Sequence, residues 1–341
     1  MSMRVLVTGA GSFLGHGIIK SLRMSALEPY IIGADPSATA TGLYRCDRAY
    51  LIPLARDPAY MARIRAVLVA EKVDAILMGT DVELGLFAAE REALEREFGC
   101  VVVVSSPEVI EIADDKWKTY VFLKERGFPH PATSLADGAR ELARSVGFPL
   151  IVKPRVGARS VGVRRVLNDA QLTDALRHTA DAVVQEYVVP EDQEYTVGTL
   201  TFDGRCDNVI TMRRDLRDGN TFRAYVRDEP VVREKAREVA EALGAHGPAN
   251  FQLRSTSGGA KIFEINARFS GTTPIRAAMG FNEVEAVLRH LVLREPMTRL
   301  SFRDGVVLRY WNEVVVDQSE FDALNEKGML DKPMSRITQD F

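Results

Sequence analysis

The sequence predicts an α/β protein in two parts: an N-terminal parallel sheet covered by helices, then a mixed α+β region. Three observations carry this. From Arg4 to Val104 short apolar runs alternate with helical patterns, as in a parallel sheet buried on both faces. Past about residue 114 strands pair locally instead, around the turns Asp203-Gly204 and Thr256–Gly259. Finally, the apolar strand Lys261–Gly271 ends in Glu264, Asn266 and Arg268, which alternate with Ile265 and Ala267 and so share one strand face, while Ile262, Phe263 and Ile265 pack the rest.

Arg4–Thr8 reads as the first buried strand, followed by the turn Gly9-Ala-Gly11-Ser-Phe-Leu-Gly15 and a helix through Leu22. Strands follow at Tyr30–Ala34, Val73–Met78 and Cys100–Val104, with helices at Tyr60–Glu71 and Glu83–Phe98 between them. The turn with Asp35 beyond it invites a dinucleotide reading. Its G-x-G-x-x-x-G spacing is one residue longer than that fingerprint, and a tight βα turn needs glycines in any case. The turn Gly79-Thr-Asp81-Val-Glu83 sits at the carboxyl end of a strand, where open α/β sheets bind ligands. Asp81 and Glu83 are therefore candidate substrate contacts, with helix capping by Thr80 or Asp81 as the equal alternative.

Pro107–Ala113 and a segment from Asp114 to Gly127 read as helices, placing a domain boundary at about 110–114. After a helix at Asp137–Val146, Lys153 ends the apolar strand Leu150–Pro154, a position suited to a point-charge phosphate ligand. The loop Arg155–Gly162, with Arg159 and Ser160, reads as a phosphate-covering lid or an ordinary hairpin turn. Val183–Val188 is a strand; strands 195–202 and 206–212 form a hairpin, and the basic segment Arg213–Arg223 is a solvated face or an anion contact through Arg214 and Thr221. Pro230–Leu243 is an amphipathic helix ending at Gly244. The hairpin of strand Ala249–Arg254 with the Lys261 strand brings Gln252 near Glu264, so Gln252, Glu264 and Asn266 converge. Side chains two apart on a strand lie roughly 7 Å from each other, and a carboxylate with amide oxygens at that spacing can share hard cations. A helix at Phe281–Leu293 and a final strand at Val306–Val316 close the reading; the last 25 residues carry little signal.

The chain has 341 residues, 46% of them hydrophobic, which suits a globular enzyme of two or three domains. A net charge of −3 gives no case for nucleic acid or an acidic membrane surface. The three cysteines are far apart without metal-binding spacing, pointing to a reducing compartment. No apolar run reaches the roughly 18–20 residues of a membrane helix and no leader pattern opens the chain, so a cytoplasmic protein without nucleic-acid or membrane partners is expected.

The order Lys116, Lys153-Pro154, a Gly/Ser loop, Gln185-Glu-Tyr-Val188, Glu194, Gln252 and Glu264-Ile-Asn266-Ala-Arg268 resembles the ATP-grasp superfamily, and within it one half of the carbamoyl-phosphate synthetase large subunit. The resemblance covers about residues 1–310. It implies a pre-ATP-grasp Rossmann-like domain at 1–112, an ATP-grasp domain of two subdomains at 113–310 (lid subdomain about 113–187) and a C-terminal strand and tail at 311–341. It further implies that Lys116 and Lys153 contact the nucleotide phosphates while the loop with Ser160 closes over them. Gln185, Glu186, Tyr187 and Val188 line the adenine, with Glu186 and Val188 acting through the main chain, and Glu194 takes the ribose. Gln252, Glu264 and Asn266 hold Mg²⁺, with Mn²⁺ as the substitute, and Arg268 acts with Lys153 in catalysis by facing the acceptor. The implied activity is an ATP-dependent carboxylate–amine ligase working through an acyl-phosphate on small-molecule carboxylate and amine substrates, with a homodimer as the assembly expected by analogy. A synthetase-like kinase of a carboxylate or carbamate, and a nucleotide-binding protein without ligase activity, are the alternatives. With one ATP-grasp unit and no ammonia-producing domain in the sequence, carbamoyl phosphate synthesis itself is not expected.

Overall fold

The computed structural model describes residues 2–157 and 160–337. Its first unit runs β1 (Arg4–Thr8), α1 (Phe13–Arg23), β2 (Tyr30–Asp35), β3 (Arg48–Leu51), α2 (Tyr60–Glu71), β4 (Ala75–Met78), α3 (Asp81–Phe98) and β5 (Val101–Val102). The strands are parallel in the order β3-β2-β1-β4-β5. Their residues are almost wholly buried, as expected of strands covered on both faces. Ser12 caps α1 by accepting from Gly15 N. The glycines of the first turn are explained by packing: a Cβ on Gly15 would meet Gly9 O at 2.2 Å, and one on Gly11 would meet Ala40 Cβ at 2.4 Å. Asp35 accepts from the backbone N–H groups of Gly11 and Ser37, so it locks this turn.

Helices α4 (Pro107–Asp114) and α5 (Lys116–Glu125) lead into a small unit of β6 (Thr133–Leu135), α6 (Ala139–Val146), β7 (Leu150–Pro154), β8 (Arg164–Val166), α7 (Asp169–His178) and β9 (Ala182–Glu186). Its antiparallel sheet has the order β6-β9-β7-β8. A larger antiparallel sheet follows, from β10 (Glu194–Phe202), β11 (Arg205–Arg217), β12 (Asn220–Val226), α8 (Pro230–Leu243), β13 (Gly247–Thr256), β14 (Gly259–Asn266), α9 (Thr273–Ala278), α10 (Glu283–Leu291) and β15 (Gly305–Leu308), in the order β14-β13-β10-β11-β12-β15. The segment 213–223 is thus sheet. Asp218 (φ 50°) and Gly219 (φ 72°) turn β11 into β12, and Asp203 (φ 50°) with Gly204 (φ 74°) turn β10 into β11 in the same way.

The expected strand Val306–Val316 divides into β15 and β16 (Val314–Val315). The tail also forms α11 (Gln318–Lys327), β17 (Met329–Asp331), which adds antiparallel to β3, and β18 (Arg336–Ile337), which pairs with β16. Strand β17 returns the chain end to the first sheet. Among the described residues no helix is long and apolar enough to cross a membrane. The cysteines Cys46, Cys100 and Cys206 are buried and unpaired; burial pushes their thiols up to about 12, 11 and 11, the opposite of a reactive thiolate.

Candidate active site

The small and large antiparallel sheets face each other across a cleft, which opens into a larger cavity reaching the first unit. Lys153, at the end of β7, lies on the cleft with Lys116, Ser160, Gln185, Glu186, Tyr187, Val188 and Glu194, so one place gathers the whole set expected around a nucleotide. Lys153 is 5% exposed and donates to Gln185 Oε1 at 2.8 Å. Burial pushes its ammonium down to about 8, against the opposing pull of Glu264. Lys116 opens α5 behind its N-cap Asp115 and donates to Gly157 O at 2.7 Å, tying the loop to the cleft. Asp115 also binds the Arg155 guanidinium at the start of that loop. Ala158 and Arg159 lie outside the described residues.

On β13 and β14, Gln252 stands opposite Glu264 and Asn250 opposite Asn266, as the hairpin predicts. A register shift after Gln252 inserts one extra residue into β14. Phe263, expected among the packing residues, therefore lines the cleft beside Glu264, 5.8 Å from the Lys153 ammonium.

These side chains join a continuous run of hydrogen bonds. Arg254 donates to Glu194 Oε2 at 2.9 Å and Arg214 to Glu194 Oε1 at 2.8 Å. Arg214 also donates to Gln252 Oε1 at 2.7 Å. Gln252 Nε2 and Asn266 Nδ2 both donate to Glu264 Oε1 at 3.2 Å. Asn266 Oδ1 accepts from Arg268 at 2.8 Å, and Arg268 Nε donates to Asp81 Oδ1 at 2.7 Å. Arginines thus flank the Gln252, Glu264 and Asn266 group on both sides from the cleft to the first unit, an arrangement suited to a polyphosphate meeting a carboxylate. Among the described residues there is no group of three His, Cys, Asp or Glu able to hold a metal. The donor set Gln252, Glu264 and Asn266 is nevertheless all oxygen once the amides rotate, and fits a hard cation whose remaining ligands come from phosphate and water.

Three expectations are modified. Glu194 is held by two arginines, so a ribose there would share it with Arg254 and Arg214. Glu186 spends its carboxylate on Lys261, at 2.7 Å, and on Ala132 N, and its main-chain N–H donates to Ala132 O at 2.8 Å. Arg214, Thr221 and Asp81, the other candidate substrate contacts, line the larger cavity. Glu83 does not: it is 3% exposed and accepts from Thr8, Thr80 and Tyr60 hydroxyls, with its carboxyl pushed up by burial. On α3 a residue two positions on points to nearly the opposite side, so Asp81 and Glu83 cannot both reach the cavity. Arg254 and Asn250 were not singled out from sequence, although Asn250, Gln252 and Arg254 share one face of β13.

Comparison with known proteins agrees with this architecture. Residues 178–314 match a family model described as an ATP-grasp in the biosynthetic pathway with Ter operon, and residues 5–103 match the PylC-like N-terminal domain. The carbamoyl phosphate synthase large chain of Methanosarcina barkeri is 24% identical over 80% of this chain, which spans 28% of that relative. The N-terminal section of the Methanopyrus kandleri enzyme is 26% identical over 80% of this chain and 53% of its own length. The chain therefore spans from just over a quarter to about half the length of such relatives. Among solved structures, an L-amino acid ligase from Bacillus licheniformis has a TM-score of 0.67 at 20% identity, covering 85% of this chain and 74% of its own. N5-carboxyaminoimidazole synthetase from Staphylococcus aureus has a TM-score of 0.69 at 14% identity, covering 100% of this chain and 94% of its own. The two family models fall on the parallel sheet and, from β9 onward, on the large antiparallel sheet, and the chain is similar to ATP-grasp enzymes and resembles a single ATP-grasp half of the carbamoyl phosphate synthase large chain.

Proposed function

We propose that this chain is an ATP-dependent carboxylate–amine ligase that works through an acyl-phosphate and releases ADP and phosphate. The observation that carries the reading is the hydrogen-bonded run from Arg254 to Asp81, which connects the cleft to the larger cavity through Glu264 and Arg268. Pressing a carboxylate onto a triphosphate brings two anions together, so the protein's task is to position and neutralise them. Lys153 suits that task, since an ammonium held down to about 8 by burial gains strongly when an anion reaches it. Arg268 already holds a carboxylate, that of Asp81, and would exchange it for the substrate's. Bound Mg²⁺, held by Glu264 with the amide oxygens of Gln252 and Asn266, would screen the phosphate oxygens. Lys116 and the loop it grips would keep water from the reactive acyl group.

The likeness to an L-amino acid ligase and to N5-carboxyaminoimidazole ribonucleotide synthetases supports this class of chemistry on small molecules. A kinase of a carboxylate or carbamate needs no room beyond Arg268. The cavity continues past Arg268 to Phe13 and Gly271, which favours a second substrate. The test is hydroxylamine trapping: with ATP, Mg²⁺ and the cognate carboxylate, a hydroxamate should accumulate and the amine should suppress it. Hydroxamate that no amine suppresses, with carboxylate-dependent ADP release unaltered by every amine offered, would remove the ligase reading.

A further inference from the structure

The arginines around the cleft have carboxylate partners: Arg276 has Glu283, Arg214 and Arg254 share Glu194, and Arg268 has Asp81. Arg309 is different. It follows β15, and its guanidinium donates to Gly271 O and stacks 4.4 Å from the centroid of the Phe13 ring. No carboxylate among the described residues pairs with it, and burial alone pushes it down to about 10. Lys20 lies on the same face of α1, seven residues after Phe13, and also lacks an ion pair among the described residues. Partial burial pushes its ammonium down first, then the charges of Arg309 and Arg45. His16 between them bonds Thr41 at 2.7 Å and brings no negative charge. Neighbouring cations without a counter-ion cost free energy that a bound anion relieves.

The place matters as much as the charge. Phe13 and Gly271 line the larger cavity, and the Arg309 guanidinium touches both of them. Gly271 is three residues from Arg268, at most about 10 Å of chain. A Cβ on Gly271 would lie 2.0 Å from Phe13 Cε1, so the glycine is what lets ring and guanidinium sit against the loop. Stacking uses the face of a guanidinium, so the in-plane N–H groups not given to Gly271 O can grip an anion.

We propose that the substrate of this cavity carries a second anionic group, a carboxylate or a phosphate, bound by Arg309 with Lys20, a short acyl chain away from the carboxylate activated at Arg268. This rests on the ligase reading for the reacting end and names the class of molecule: dicarboxylates or phosphorylated carboxylates in preference to monocarboxylates.

The experiment compares wild type, Arg309→Gln, Arg309→Lys and Lys20→Gln in ADP release with propionate, succinate, glutarate and 3-phosphoglycerate, each with an amine pool. The expected result is turnover with succinate and glutarate (a carboxylate site) or with 3-phosphoglycerate (a phosphate site). Arg309→Gln should then raise KM about tenfold or more, the factor that accompanies loss of one charge-assisted contact, with kcat within about twofold. Arg309→Lys should fall between. Propionate used as well as the dianions, or a KM untouched by Arg309→Gln, would overturn the inference. Thermal melting with succinate and with inorganic phosphate serves as a readout independent of turnover. If no carboxylate releases ADP, the ligase reading fails by itself. A melting shift in wild type that Arg309→Gln removes still supports the anion site, and equal shifts, or none in either protein, overturn it.

Discussion

Replacing Lys153 with methionine should make the free protein more stable while removing nucleotide binding. The ammonium is held near 8 rather than at its ordinary 10.5, chiefly by burial. At about 1.4 kcal/mol per pH unit, that displacement is a penalty on the folded state of about 3 kcal/mol. The sign follows from proton counting. Between pH 8 and 10.5 the unfolded chain holds a proton on this lysine that the folded protein has lost, so wild-type stability rises with pH across that window and the penalty is fully present below it. Methionine keeps the stem and loses the charge, but leaves Gln185 Oε1 without its donor at 2.8 Å, a loss of about 1–3 kcal/mol. The net expectation for Lys153→Met at pH 7 is a gain of about 1 kcal/mol, or about 1–2 °C in melting temperature for a chain of 341 residues. The gain should shrink and reverse as pH approaches 10. Calorimetry at pH 7 and pH 10, without nucleotide, reads the stability; a second scan with ATP and Mg²⁺ should shift wild type alone. A variant that melts below wild type at pH 7, or keeps the ATP shift, would refute the view that Lys153 is a buried charge kept for an anion.

Two further outcomes follow from buried carboxylates away from the cleft. Arg276 and Glu283 are 1% and 0% exposed, and Arg276 also reaches Asn250 on β13, so Glu283→Ala should cost about 3–5 kcal/mol in urea unfolding; a loss under 1 kcal/mol would contradict their coupling. Glu83→Gln should leave turnover unchanged, since the side chain does not line the cavity, and should remove a pH dependence. A carboxyl pushed up by burial makes wild type lose stability as pH rises from the ordinary carboxylate range through the raised value, whereas the amide stays level; melting curves from pH 4 to 8 for both proteins check this.

What could be read from the sequence was what short-range geometry fixes. The two-residue alternation of Glu264, Asn266 and Arg268 and the short turn before them were enough to place Gln252 opposite Glu264. The Asp218-Gly219 turn carried the same signal as Asp203-Gly204, but the arginines around it read as a charged surface and hid the hairpin. Asp81 and Glu83 looked equivalent until the helix separated their faces. The pairing of Arg268 with Asp81 across 187 residues, the two arginines on Glu194, and the return of β17 to β3 arise only when distant segments meet, and no local pattern encodes them. The bulge that turns Phe263 into the cleft is likewise a property of the pair of strands, invisible in either one alone.

The measurement that bears most directly on the central claim is nucleotide product analysis with ATP, Mg²⁺ and pooled carboxylates, with and without pooled amines, using Glu264→Ala as the blank. Glu264 accepts from both Gln252 and Asn266, so its loss should abolish turnover. ADP and phosphate are the expected products, dependent on one carboxylate class and absent from the blank. AMP and pyrophosphate as products, or turnover that survives Glu264→Ala, would contradict that claim.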